Sequence, residues 1–126
     1  MNGKRLLLDT NAIISLLQGN HSLIAQSAEA EWIGISIISQ LEFLCFAKIS
    51  AEDRRTFDQF LQKVNVVSLD VQNTALLEIV VDVRTRYRLK LPDAVIAAAA
   101  IFHQAQLVIA DRSFAAISEL KILPVN

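Results

Sequence analysis

Four acidic residues stand where the surrounding sequence leaves little room for water. Asp9 ends the run Leu6-Leu7-Leu8, Asp111 ends Leu107-Val108-Ile109-Ala110, and Asp93 opens the apolar stretch Ala94–Phe102. Glu42 lies inside Ile37–Phe46, a segment apolar around nearly its whole helical circumference. Each neighbouring run is expected to be buried, which draws these carboxylates towards the core or its rim. An isolated buried carboxylate is costly and ordinarily neutralises by a raised pKa. Four of them in one chain ask for a common cause. Clustered carboxylates tolerate one another when a cation lies between them, and an all-oxygen donor set suits Mg²⁺ or Mn²⁺. Such an ion lowers the pKa of bound water and offsets charge that builds on a phosphoryl oxygen.

Each acid also has a plainer role open to it. Asp9 can cap a helix, Asp93 can complement a helix dipole, Glu42 can sit on a helix surface, and Asp111 can serve a turn. Asp70 stands in a similar context after Val66–Leu69 and is assigned to capping. Arg84, Arg86, Arg88 and Lys90 lead up to Pro92-Asp93 and could hold phosphates there, as could Arg112 beside Asp111. The same four also read as a solvated helix end. Arg54 and Arg55 are expected to pair with Glu52, Asp53 and Asp58. His21, His103 and Cys45 lack the spacing of a zinc site. Cys45 is expected to be a small buried hydrophobe, and Trp32 and Phe43 to belong to the core.

Apolar runs and turn signals define the elements that must position these groups. Arg5–Leu8, Trp32–Ile37, Val66–Leu69, Leu107–Ala110 and Ile122–Val125 read as strands, continuous in apolar character and so covered on both faces. Helices are expected over Thr10–Gln18, ending near Gly19, and over His21–Glu29, Ser39–Lys48 and Glu52–Lys63. Ser50 and Asp53 have capping-box spacing. A further helix is expected over Val71–Arg88, capped by Asp70 and carrying an Asp82–Arg86 pair. Another opens at Pro92 and reaches Gln104, and a short one lies around Ser113–Ser118. Alternation of this kind predicts a three-layer α/β/α domain with a mostly parallel sheet. Asp9 and Asp111 then both lie beyond the carboxyl ends of strands. If the first and fourth strands are neighbours across the point where strand order reverses, the two converge, with Asp93 and Glu42 reaching the same crevice from helix starts.

Composition sets the outer bounds. At 126 residues the chain is one domain, and 53% hydrophobic with 20% charged residues excludes intrinsic disorder. With 12 Lys and Arg against 13 Asp and Glu, a nucleic-acid partner must be met by a local patch and not by overall charge. The single cysteine, the lack of a secretion-like start and the shortness of the longest apolar run fit a compact cytoplasmic protein without a membrane span. No Gly-x-x-x-x-Gly-Lys loop is present, which excludes a P-loop nucleotidase. An aspartyl phosphatase would ordinarily carry an acid where Asn11 stands.

Taken together, Leu7-Leu8-Asp9-Thr10-Asn11, Ser39-x-x-Glu42, Leu91-Pro92-Asp93-Ala94 and Leu107-x-x-x-Asp111-x-x-Phe114 resemble, in that order, the PIN domain. The likeness is to the small VapC-like toxin ribonucleases of toxin–antitoxin pairs, and it runs over residues 5 to 123. The resemblance implies an acidic pocket of Asp9, Glu42, Asp93 and Asp111 binding Mg²⁺ or Mn²⁺ for hydrolysis of RNA. Asp9, Asp93 and Asp111 would be the metal ligands, with Asn11 and Ser39 as supporting polar residues. It also implies a homodimer and a small antitoxin partner. The chain departs from the family pattern at Ile109, Ala110 and Ser113 around Asp111, positions where relatives often carry a threonine and a further acid. A non-catalytic PIN-like interaction domain with a degenerate acidic pocket is therefore the competing expectation.

Overall fold

A computed structural model describes residues 3–46, 48–110 and 114–125. Its five strands are β1 (Lys4–Leu8), β2 (Ala30–Ser36), β3 (Asn65–Val67), β4 (Gln106–Ile109) and β5 (Ile122–Pro124). They form one all-parallel sheet in the order β3-β2-β1-β4-β5. Between them lie α1 (Thr10–Leu17), α2 (His21–Glu29), α3 (Ile37–Leu44), α4 (Ala51–Leu61), α5 (Thr74–Tyr87) and α6 (Leu91–Phe102). The continuous Leu6-Leu7-Leu8 run is explained by the two-residue period of a strand, which sends alternate side chains to opposite faces. Leu6 and Leu8 join Ile13, Leu23, Phe43, Phe57 and Val108 on the face covered by α1 to α4. Leu7 joins Leu107, Val80, Val83 and the alanines of α6 on the other face. Three layers result, as the sequence pattern predicts.

The alanine-rich α6 is buried along its length, from Ala94 to Ala100, because it lies between the sheet and α5. Small side chains allow that close approach. Pro92 sits in its first turn, where a missing N–H costs nothing. Gly34 makes a different close contact: the ring of Trp32 folds across it on the same face of β2, filling the space a Cβ would need.

Several expected boundaries shift. Helix α3 begins directly after β2 at Ile37, capped by Ser36 Oγ accepting from the Ile38 N–H at 3.1 Å, and stops at Leu44, well short of Lys48. Helix α5 begins at Thr74, with Asn73 as its cap. Asp70 instead closes a turn, its carboxylate accepting from the Gln72 N–H at 2.9 Å, and Val71 is 84% exposed. Residues 114–116 form a turn where a short helix was expected. Cys45 is exposed, not buried, because α3 ends at Leu44 and the chain turns outward there. Trp32 is half-buried at the sheet's amino edge. The Ser50–Asp53 capping box, the Asp82–Arg86 pair at 3.0 Å and an Arg54–Asp58 pair at 3.7 Å form as the spacing predicts.

Candidate functional site at the carboxyl edge of the sheet

The sheet order makes β1 the central strand, with β2 and β3 on one side and β4 and β5 on the other. The chain leaves β1 in one direction and later crosses back, so strand order reverses between β1 and β4. In open parallel sheets that is where ligands bind, outside the carboxyl ends. Leu8 pairs with both Ile35 and Val108, each one residue short of the end of its strand, so the carboxyl ends of three strands lie side by side.

Asp9 stands at this edge and is only 7% exposed. Its N–H donates to the Val108 carbonyl at 3.1 Å, extending the β1–β4 ladder by one residue. Its Oδ1 accepts from the Ala12 N–H at 2.7 Å, which makes it the cap of α1. The plain capping role and a place in the crevice therefore coincide. Asp93, half-buried, is the third residue of α6. Because α6 leads directly into β4, and because Arg5 at the amino end of β1 donates to the His103 carbonyl at 2.7 Å, the far end of α6 lies at the amino edge of the sheet. Its first turn, with Asp93, lies towards the carboxyl edge.

Glu42 departs from expectation in its surroundings. It is exposed, not sunk in an apolar setting, because α3 buries only Ser39 and Phe43 fully and leaves Leu41 open to water at 51% exposure. Yet it is not loose: Glu42 Oε1 accepts a hydrogen bond of 2.6 Å from Thr10 Oγ1, which ties α3 to the turn that carries Asp9. Thr10 was not singled out by its type or spacing; its place immediately after Asp9 was the available signal. Asn11 is exposed on the first turn of α1. Ser39 is fully buried near the start of α3, and its Oγ has no hydrogen-bond partner among the described residues. Asp111, Arg112 and Ser113 lie outside the described residues.

The cations ahead of Asp93 divide. Arg86 is engaged with Asp82 at 3.0 Å and with Glu119 at 3.5 Å. Glu119 also accepts from the Tyr87 hydroxyl at 2.7 Å, and that bond, followed by one from Ser118, holds its carboxyl below the usual range. Arg84, Arg88 and Lys90 are exposed.

The donor chemistry around the edge is all oxygen, which fits a hard divalent cation and not zinc. Among the described residues, no three His, Cys, Asp or Glu side chains are gathered closely enough to enclose an ion by themselves. A second concavity, of about 280 Å³, is separate: it lies between α1, α3 and the start of α4, where apolar Ile14, Leu17, Phe43, Phe46 and Ile49 share its lining with Gln18, Glu52, Asp53 and Thr56. Among the described residues, no helix is long and apolar enough to cross a membrane.

Comparison with known proteins bears directly on this arrangement. A family model described as the PIN domain matches residues 6–120. A chain in a toxin–antitoxin complex from Klebsiella pneumoniae is 32% identical, with 91% of this chain and 94% of that chain covered at a TM-score of 0.74. VapBC2 from Rickettsia felis, bound to a DNA fragment from its promoter, superimposes at a TM-score of 0.80 with 20% identity, covering 96% and 98% of the two chains. VapBC-1 from nontypeable Haemophilus influenzae gives 0.75 with 21% identity over 94% and 96%. The last two likenesses establish the fold alone. A search of curated proteins gave no match.

Proposed function

The chain belongs to the PIN domain family, a family of nucleases, and on that premise we propose that it is a divalent-metal-dependent endoribonuclease acting as the toxin of a toxin–antitoxin pair. The observation that carries the proposal is a nearly buried carboxylate, Asp9, at the β1–β4 reversal, with a second, Glu42, held to the adjoining turn. Asp9, Asp93 and Asp111 would hold Mg²⁺ or Mn²⁺, with Glu42 completing the set. When bound, the cation supplies an acidified water and offsets negative charge on the scissile phosphate. The protein's own part is positional. The Ala12 N–H fixes the Asp9 carboxylate, and the first turn of α6 presents Asp93 beside the positive end of its dipole. Asn11 and Ser39 would orient ligands or water, Ser39 with a buried hydroxyl that has no other described partner. Arg84, Arg88 and Lys90, with Arg112, would neutralise phosphates of the RNA, whereas Arg86 is committed to Asp82 and Glu119.

Asp9→Asn or Asp93→Asn is expected to abolish Mn²⁺-dependent cleavage of RNA while leaving the fold intact. The check is an assay on a broad set of structured RNAs, with and without excess chelator. Cleavage that persists in chelator, or full activity in either variant, would reject the mechanism. The partner would be a small antitoxin, as in the complexes that hold the relatives, with an apolar segment in the groove lined by Phe43 and Phe46. A homodimer forms part of the same proposal, and light scattering in solution reads it directly. One observation favours a second reading, a PIN-like interaction domain without turnover: Ile109, buried in the core, supplies no hydroxyl beside Asp111. A stable partner recovered together with no metal-dependent cleavage of any RNA would decide for that reading.

A further inference from the structure

The geometry points to Thr10 as the residue that positions Glu42 for the proposed ion, an assignment that rests on the metal-dependent reading of the acidic edge. Thr10 Oγ1 and Glu42 Oε1 are 2.6 Å apart and belong to residues 32 positions apart in sequence. That is the length of a hydroxyl-to-carboxylate hydrogen bond, shorter and stronger than one between neutral groups. The Thr10 end is fixed. Asp9, immediately before it, donates its N–H to Val108 and accepts from Ala12 through its side chain, and its carbonyl accepts from the Ile13 N–H at 3.0 Å. Thr10 is also β-branched, so its own side chain has little rotational freedom. The Glu42 end is not fixed by packing. It is an exposed side chain with three rotatable bonds on the wet side of α3.

Without the Thr10 hydroxyl, Glu42 would sweep through solvent; with it, the carboxylate is brought to the turn that carries Asp9. Groups that orient metal ligands in this way ordinarily change metal affinity by about 10–100-fold when removed. Thr10 itself would touch neither the ion nor the RNA. It acts through Glu42 and is a positioning residue.

The test is Mn²⁺ binding measured calorimetrically on wild type, T10V, T10S, E42Q and T10V/E42Q, with thermal unfolding of each in the absence of metal. Valine keeps the shape of threonine and removes the donor; serine keeps the donor. T10V is expected to weaken Mn²⁺ binding by about tenfold, T10S to recover most of that loss, and T10V/E42Q to bind no worse than E42Q alone. Such non-additivity is the signature of two residues acting as one unit. Wild-type affinity in T10V, or losses that simply add in the double variant, overturn the assignment while leaving the metal reading intact. Absence of Mn²⁺ binding by wild type overturns both. A T10V protein that unfolds far below the others while T10S binds no better also overturns it, since the hydroxyl would then serve the fold alone.

Discussion

Asp9 caps α1 through Oδ1 and, on the proposed reading, also holds the cation, and substitutions separate the two roles. Asparagine retains an oxygen that accepts from the Ala12 N–H, whereas alanine leaves that donor at the helix start without its partner. Asp9→Ala is therefore expected to lower stability by about 1 kcal/mol more than Asp9→Asn, the ordinary worth of a cap, while both lose cleavage alike. Chemical denaturation of the two variants checks the first half and the RNA assay the second. His103 supplies a separate pH signal at the opposite edge of the sheet. Its imidazole stacks on Trp32 at 4.9 Å, and burial, followed by the Arg5 guanidinium, lowers its pKa from the ordinary 6.5. The native state thus holds His103 neutral where the unfolded chain already binds a proton. This contribution to stability is present above pH 6.5 and is lost as pH falls from there through the lowered native value. His103→Gln is expected to flatten that part of the stability–pH curve, which urea unfolding at a series of mildly acid pH values reads out.

Among the elements, α3 shows how a sequence pattern can be read correctly for type and wrongly for surroundings. Its residues are apolar almost all round, which suggests burial on every side, yet Leu41 is 51% and Phe46, just beyond the helix, 55% exposed. Apolar side chains waiting for a partner look the same in sequence as side chains that have one. The exposed Cys45 is the chain's only cysteine, so a maleimide is expected to label the folded protein once. On the proposed reading, labelling should slow sharply when an antitoxin fills the neighbouring groove; unchanged kinetics in a purified complex would remove that surface from the proposed interface. The central strands β1, β2 and β4 were legible because side chains buried on both faces of a sheet leave uninterrupted apolar runs, whereas the edge strands β3 and β5, read by the same signal, are largely open to water. The start of α5 was not, because Asp70 and Asn73 are both good caps and only the fold decides which one caps it. Of the candidate site, the place of Asp9 at the carboxyl edge was legible from the apolar run it ends, the exposure of Glu42 was not, and neither was Thr10, since a hydroxyl gains meaning only from what stands opposite. In β2, Gly34 is constrained by Trp32 lying across it. Gly34→Ala is expected to cost roughly 1–3 kcal/mol, the usual range for overpacking, and to shift the emission of the single tryptophan, both measurable in one unfolding experiment followed by fluorescence.

For the whole molecule, near-neutral charge limits how an RNA could be gripped. With a net charge of −1, attraction must come from the exposed cations near the acidic edge. Arg88→Gln and Lys90→Gln are expected to raise KM and leave kcat almost unchanged, and to make cleavage less sensitive to salt. Arg86→Gln should instead act on stability, because Arg86 already holds Asp82 and Glu119. Steady-state kinetics at two ionic strengths distinguishes them. The strand order carries one more consequence, for the protein while it is being made. Leu8 of β1 lies beside Val108 of β4, a hundred positions later. When the nascent polypeptide has emerged only through α5, Asp9 and Glu42 stand outside the ribosome, but neither Asp93 nor the strand that closes the crevice on its far side has followed. On the proposed reading, the growing polypeptide cannot hold a cation at this edge until β4 emerges and inserts beside β1, so hydrolysis waits for the sheet to be completed.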